Sequence, residues 1–519
     1  MKQLIVKTEI LSGRMALTLL SLLLTLSTVL RAQIYVSPSG SDTSQGTIES
    51  PVQTLTKALS MAGPDSMIYL RGGTYACSTK VIISKVNPEG HDIKVWAYPG
   101  ETPVFDFALE TSSDGISLTG SYCHLKGLEI KNAFHNGINV SGHFNVIENC
   151  RSHDNRNSGI QMGSSSSLAY PSDNLFLNCD SYLNYDAPIG GNADGFAIKW
   201  KIGTGNVFRG CRAYNNSDDG WDLWMADSTV EIDSCWGFRN GVDSWHSGSF
   251  NGNGNGFKLG GSYVATPHVV KNCVSFDNAG NTGRGFDENN NTAGQTLYNC
   301  TAYRNKGDNY HFLNTVVQGE HIIKNCISFQ GTVNIASGTQ EANSWQGFSV
   351  DSSDFLSLDT ALAVASRNAD GSLPTNDLFR LARGSSLIDA GVDVGLQYNG
   401  LAPDLGAFES DYPTAVRGSE NSGLPTTVNL SQNFPNPFNP TTIIRYQLPF
   451  ESKVILRVSN ILGQTVAILR NGTETAGSKT VEWNASGLPS GVYFYRMDAT
   501  SVNDRGRTFH SVRKMLLLK

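Results

Sequence analysis

The chain has 519 residues, too many for one ordinary core, so a main domain with appendages is expected. Charged residues make up only 16%, glycines number 53 and no long heptad pattern occurs, which excludes a coiled coil and suits a turn-rich all-β protein. The net charge of -7 argues against a nucleic-acid partner.

Residues 1–32 read as a secretory signal peptide. Lys2, Lys7 and Arg14 give a basic start, Ala16 to Leu30 is apolar, and Ala32 is a small residue at the expected cleavage point. The apolar run of about 15 residues falls short of the ~20 that a spanning helix needs, so a cleaved signal is preferred to a membrane anchor. No other segment reads as a spanning helix.

Ile34 to about Asp106 is turn-rich (YVSPSGSD, RGGTY), with one short capping helix predicted over Thr54 to Met61. From about Asp114 to Gln330 the chain repeats itself. HNGINV, NSGIQM, ADGFAI, DDGWDL, GNGFKL, GRGFDE and GDNYHF begin at His135, Asn157, Ala193, Asp218, Gly254, Gly283 and Gly307. A cysteine, usually after asparagine, recurs at Cys123, Cys150, Cys179, Cys211, Cys235, Cys273, Cys300 and Cys326, with gaps of 27, 29, 32, 24, 38, 27 and 26. Such a period is one coil of a stacked repeat, too long for one hairpin, so parallel strands wound into a coil are predicted. The long gap between Cys235 and Cys273 implies an insertion.

Export allows disulfides, yet the eight cysteines at one phase should stack in a column. Strands stack ~4.8 Å apart, while a disulfide needs Cβ atoms ~3.8 Å apart. We read the column as buried free thiols, and no CxxC pair suggests metal.

Val333 to Ser410 loses the repeat and is expected to cover the open end of the stack. Residues 411–427 read as a linker rich in Pro, Gly, Ser and Thr. From Val428 to Lys519, IIRYQL, KVILRVSN, SKTVEW and GVYFYRMD are short alternating strands, which predicts a small β-sandwich.

Aligning the repeats on their glycine shows the chemistry. Asp194, Asp219, Asn255 and Arg284 precede the glycine, and Ala197, Asp222, Lys258 and Asp287 lie two positions after it. Phe196, Trp221, Phe257 and Phe286 between them should point inward, so Asp222 and Lys258 point outward from adjacent coils. Asp194, Asp218, Asp219 and Asp222 then crowd together, and four such charges repel unless a cation joins them. Hard oxygen ligands on turn-rich backbone suit calcium better than magnesium. The bland alternative is that the aspartates satisfy turns. A cation beside Lys258 would favour its neutral amine. A neutral lysine beside a cation-bound uronate carboxylate points to β-elimination, the amine taking the carbon-bound proton. The bland alternative for Lys258 is a salt bridge with Asp222.

Two resemblances carry further expectations. NFPNPFNPTTIIRYQLP, NILGQTV, LPSGVYFYR and the terminal KMLLLK resemble the C-terminal sorting domain of the type nine secretion system. That implies export across inner and outer membranes, an outer-membrane secretion machinery as partner, and a secreted or cell-surface location. YVSPSGSD, NADGFAIKW, NSDDGWDLW, NGNGFKLGG and LAPDLGAFE resemble polysaccharide lyase family nine, the pectate lyases, over about Gln33 to Ser410. The resemblance implies a right-handed parallel β-helix and an acidic plant polysaccharide, pectate or polygalacturonan, as substrate. It places calcium ligands at Asp194, Asp218, Asp219 and Asp222 and the catalytic base at Lys258. Its asparagine ladder falls on Asn184, Asn215, Asn240, Asn278 and Asn305.

Arg284, one coil beyond Lys258, is read as a substrate-carboxylate ligand. Lys199 and Trp224 are read as a basic and aromatic groove floor. The histidines show no metal spacing, and no GxSxG, P-loop or HExxH motif occurs. We expect a monomer. The alternatives are a rhamnogalacturonan lyase on the same scaffold, a β-helix glycoside hydrolase using paired carboxylates, and a non-catalytic surface adhesin.

Overall fold

The computed structural model describes residues 33–163, 170–411, 428–433, 435–502 and 508–518. The predicted signal peptide, residues 1–32, and the predicted linker beyond Asp411 lie outside the described residues. Two compact units result, and each is taken by itself. Among the described residues no helix is long and apolar enough to cross a membrane.

The larger unit is built from short strands that fall in rotation onto three parallel sheets of 12, 10 and 10 strands. Each strand pairs with its equivalent one coil on. Phe196–Ile198 pairs with Trp221–Asp222, that with Phe257–Lys258, and that with Phe286–Asp287. This is a parallel β-helix, and the seven repeat segments supply seven successive strands of one of its ten-stranded sheets. Their inward residues form a stack: Phe196 on Trp221, Trp221 on Phe257, Phe257 on Phe286 and Phe286 on Tyr310, at 4.8, 4.7, 4.9 and 5.1 Å between centroids. The helix Leu55–Met61 closes the first coils, its N-terminus capped by the Thr54 hydroxyl accepting from the Lys57 N–H at 3.1 Å.

The Asn–Cys marker has a backbone cause. Asn149, Asn178, Gly210, Ser234, Asn272, Asn299 and Asn325 turn one corner of the coil with φ of 51–65°, and a cysteine follows each. Asparagine adopts that left-handed conformation at low cost, and the next side chain falls inside. The seven cysteines are buried and free. Cys123 is a correction: it opens the strand Cys123–Lys126 at a different corner, and Leu128 holds the column position in that coil. The Arg151 N–H donates to Leu128 O, as the Asp180 N–H donates to Cys150 O one coil on.

The segment after the repeat also departs from expectation. The coil continues through Val333–Ile335 and Thr339–Glu341, and Trp345 then packs on Tyr310 at 5.0 Å. Residues beyond about 350 run along the flank, where Ala363, Leu378 and Phe379 cover Trp236, Phe238, Val274, Phe276 and Tyr303. Arg367 and Arg212 pin this strap by sharing Asp180 at 2.6 and 2.8 Å. The third sheet carries its aromatics outward and Ser181, Ala213, Gly237 and Ser275 at the buried positions between, so the strap covers surface that would otherwise meet water.

The smaller unit holds an antiparallel three-stranded and an antiparallel four-stranded sheet around one core of Leu430, Ile444, Tyr446, Val454, Leu456, Trp483, Tyr495 and Met515.

Candidate active site

The outward row of the glycine-marked sheet brings Ala197, Asp222, Lys258 and Asp287 into register on successive strands. Asp194 and Asp219 stand at the strand entrances before their glycines. Oxygens of Asp194, Asp219 and Asp222 lie within 4.8 Å of one another, and all three side chains are buried. Asp218 is not part of that triad. It sits beside it, accepting the Asn253 N–H at 2.7 Å.

Backbone groups fix the set. Asp219 accepts the Asn255 N–H at 2.7 Å and donates its own N–H to Asp194 Oδ1 at 3.1 Å. Asp222 Oδ1 accepts the Trp224 N–H at 3.0 Å. Asn253 and Asn255 belong to the insertion between Cys235 and Cys273, so that longer loop grips two of the four acids. Sequence reasoning placed no role on those asparagines, although the run NGNGNG marked the place.

Two lysines close the cluster. Lys258 Nζ lies 3.0 Å from Asp219 Oδ2 and 3.3 Å from Asp222 Oδ2. Lys199 Nζ lies 2.8 Å from both Asp194 Oδ2 and Asp222 Oδ2. Lys199 is therefore engaged by the acids and is no free floor residue. Arg284 is likewise engaged, 3.0 Å from the buried Asp287. Trp224 is half-buried, its ring edge-on to Trp200 at 6.1 Å.

Burial, reinforced by neighbouring acids, dominates the electrostatics. It pushes Asp194 up to about 7 and raises Asp218 and Asp219, against the pull of the lysines. Burial would raise Asp222 too, but Lys199 and Lys258 outweigh it and hold its carboxyl low. Burial would lower Lys258, but the four aspartates outweigh it and hold the ammonium form well above the ordinary range.

The residues fit a divalent cation. With every acid ionised, four carboxylates against two ammonium groups would leave two uncompensated negative charges, which is why burial favours protonated acids here and a divalent cation would restore the carboxylates. Asp219 Oδ2 is fully buried and accepts no hydrogen bond of good geometry. The donors are hard oxygens, as calcium prefers.

The ladder is corrected at one position. Asn184, Asn216, Asn240, Asn278 and Asn305 bond in series, at 2.8, 3.0, 3.1 and 2.8 Å between side chains. Asn215 is excluded because it is the left-handed corner residue, φ 54°, and the ladder side chain is the next one.

The larger unit is a parallel β-helix that carries a buried acid–lysine cluster on one sheet, and the proteins it resembles are polysaccharide lyases. The model of the Pel9A-like, right-handed β-helix region matches residues 34–325, and that of the secretion system C-terminal sorting domain matches residues 432–505. The chain is 41% identical to pectate lyase L of Dickeya chrysanthemi, over 72% of this chain and 90% of that protein. Among solved structures it is similar to the pectate lyase Pel9A, with TM-score 0.69, 39% identity, and 73% and 96% of the two chains covered. It is also similar to a rhamnogalacturonan lyase, with TM-score 0.60, 28% identity, and 68% and 97% covered. The chain belongs to the Pel9A-like right-handed β-helix family and carries a C-terminal sorting domain for secretion.

Proposed function

We propose that this protein is an exported, calcium-dependent pectate lyase that cleaves polygalacturonan by β-elimination, with Lys258 as the base. The observation that carries the reading is Lys258 standing in register beside Asp222 on the outward sheet, among four acids. Similarity to pectate lyases along most of the larger unit supports the substrate. Asp194, Asp219 and Asp222, with Asp218 beside them, would hold the calcium. Bound calcium would supply positive charge that neutralises a substrate carboxylate and acidifies the neighbouring C–H.

Lys258 performs the proton transfer. Its ammonium first loses one proton to solvent, releasing the ion pair to Asp219, and the neutral amine then takes the proton from C5 while Asp222 still holds Nζ in place. The C–H electrons form the C4–C5 double bond, and the glycosidic oxygen on C4 leaves with its electron pair and is protonated by water. Asp222 keeps Nζ oriented throughout. Arg284, held by Asp287, is placed one coil further to meet a second uronate. The sorting domain would address the chain to the type nine machinery of the outer membrane, and the protein would act as a monomer.

A rhamnogalacturonan lyase is the second reading, favoured by the similarity to one such structure. The test is incubation with polygalacturonate and, separately, rhamnogalacturonan, with and without chelator, watching ultraviolet absorbance of the unsaturated product. Calcium-dependent absorbance with polygalacturonate supports the first reading. Absorbance only with rhamnogalacturonan would replace it with the second.

A further inference from the structure

A cavity of about 680 Å³ opens beside the catalytic row, lined by Phe134, His135, Arg156, Tyr185 and Trp245 among others. Its walls are loops that enter the outward sheet: 132–137 before Ile138–Val140, 154–159 before Ile160–Met162, 183–195 before Phe196–Ile198, and 239–256 before Phe257–Lys258. The last is the insertion that the cysteine spacing announced. One end of it grips Asp218 and Asp219 through Asn253 and Asn255. The other end carries Trp245.

We propose that this cavity is a second binding site for acidic sugars, which holds a uronate of the polysaccharide chain away from the point of cleavage. The inference rests on the proposed function for its substrate class. Trp245 and Tyr185 stack at 4.6 Å and 8°, both half-buried, so the pair presents a rigid aromatic wall. Such faces recognise the C–H face of a pyranose, with large contact area and little flexibility to lose. Arg156 is exposed, and its guanidinium lies 5.5 Å over the Phe134 ring. Among the described residues it forms no ion pair, and its planar fork suits a carboxylate. The one acid in the lining, Asp154, is engaged by His153 Nδ1 at 2.6 Å. Aromatic wall and unpaired cation together select a charged sugar over a neutral one.

The site is preformed. The Asn251 N–H donates to Ile189 O at 2.7 Å and the Ser249 hydroxyl to Pro188 O at 3.4 Å, tying the insertion to the 183–195 loop that carries Tyr185. The Asp186 carboxylate accepts the N–H groups of Asn192 and Ala193, bracing that loop against Asp194. The loop before Ile160–Met162 lies three strands from Lys258, roughly 14 Å at ~4.8 Å per strand. A chain seated over Lys258 therefore needs several sugars to reach the cavity, and long substrates gain an anchor that short ones lack.

The test is gel retardation of the full chain in polygalacturonate with calcium, alongside a neutral galactan gel, for the parent, Trp245→Ala, Trp245→Phe and Arg156→Gln. Retardation by polygalacturonate should weaken about tenfold in Trp245→Ala and Arg156→Gln and be largely kept in Trp245→Phe, with thermal midpoints unchanged. The KM for polygalacturonate should rise by a similar factor while kcat stays within about twofold, the mark of uniform binding lost. Unchanged retardation of both disruptive variants, with an active parent, overturns the site and leaves the proposed function standing. A parent retarded yet without eliminative activity overturns the function and leaves the site. Equal effects in the galactan gel overturn the assignment to acidic sugars, and a parent neither retarded nor active overturns both readings.

Discussion

Asp222 and Lys258 are partners on adjacent parallel strands, and Lys258 Nζ stands 3.3 Å from Asp222 Oδ2. The pair embodies a conflict. The acids that position Lys258 also hold it protonated, while a base must be neutral. Activity should therefore rise toward alkaline pH, by up to about tenfold per unit while the ammonium form dominates. Lys258→Arg keeps the charge but cannot deprotonate. It should still bind polygalacturonate and lose turnover by about 10²-fold or more, as expected for removal of a general base. Steady-state rates across pH check both points, and an Arg variant with most of the parental rate would make Lys258 an electrostatic anchor.

Lys199 makes the opposite case, because it bridges Asp194 and Asp222 at 2.8 Å each. With every acid ionised, Lys199→Met should raise the uncompensated charge of the cluster from two to three. The calcium-free protein should lose stability, since removing one partner of a buried ion pair costs on the order of 3–5 kcal/mol. Added calcium should then raise the melting temperature more than in the parent. Differential scanning calorimetry with and without calcium reads this directly, and a smaller calcium effect in the variant would contradict it.

Asp219→Asn removes charge from an acid of the cluster whose fully buried Oδ2 lacks a well-formed hydrogen bond. Calcium affinity by titration calorimetry should fall by about tenfold or more. Catalysis should fall in parallel, with the β-helix intact by circular dichroism. Unchanged affinity would show that Asp219 serves the fold alone.

Legibility followed backbone constraint. In DDGWDL, Gly220 lets the next coil approach closely and Trp221 must point inward, so Asp222 falls on the outward side of the sheet. The site could therefore be read in one dimension. A Cβ on Gly220 would meet Gly256 O at 2.5 Å, which is why that marker persists from coil to coil. Cys123 and Asn215 misled because corner residues and interior residues are both Asn or Cys, and only backbone angles tell them apart. The flank strap was hidden because it has no period of its own. Its position is dictated by outward aromatics such as Trp236 and Phe276, far earlier in the chain. Ion pairing of Lys199 was hidden because side-chain reach to the next coil leaves no spacing signal.

The two units have separate cores. Removing residues after Asp411 should leave the β-helix folded and active, with a thermal midpoint within a few degrees of that of its transition in the full chain. Calorimetry of the 33–411 fragment checks this, and a broad, non-cooperative transition would show that the smaller unit supports the larger one.

A second polar ladder, unforeseen in the sequence, supplies the last prediction. The N–H groups of Val230, His268 and Gln295 donate in turn to His268 Nδ1, Gln295 Oε1 and His321 Nδ1 at 3.2, 3.0 and 3.1 Å. His268 is buried, and because Nδ1 accepts, its proton sits on Nε2. Burial depresses its pKa from 6.5 to about 3. Between those values the unfolded chain binds a proton that the folded chain does not, so stability is fully present above pH 6.5 and is lost as pH falls toward 3. The loss from this one group is ~1.4 kcal/mol per pH unit in that window. Gln295 shows that glutamine serves the same ladder position, so His268→Gln should fold while removing the titration. Denaturant unfolding near neutral pH and roughly two units below the unfolded pKa should show the parent losing about 2.5 kcal/mol more than the variant. Equal losses would assign the acid sensitivity to other groups.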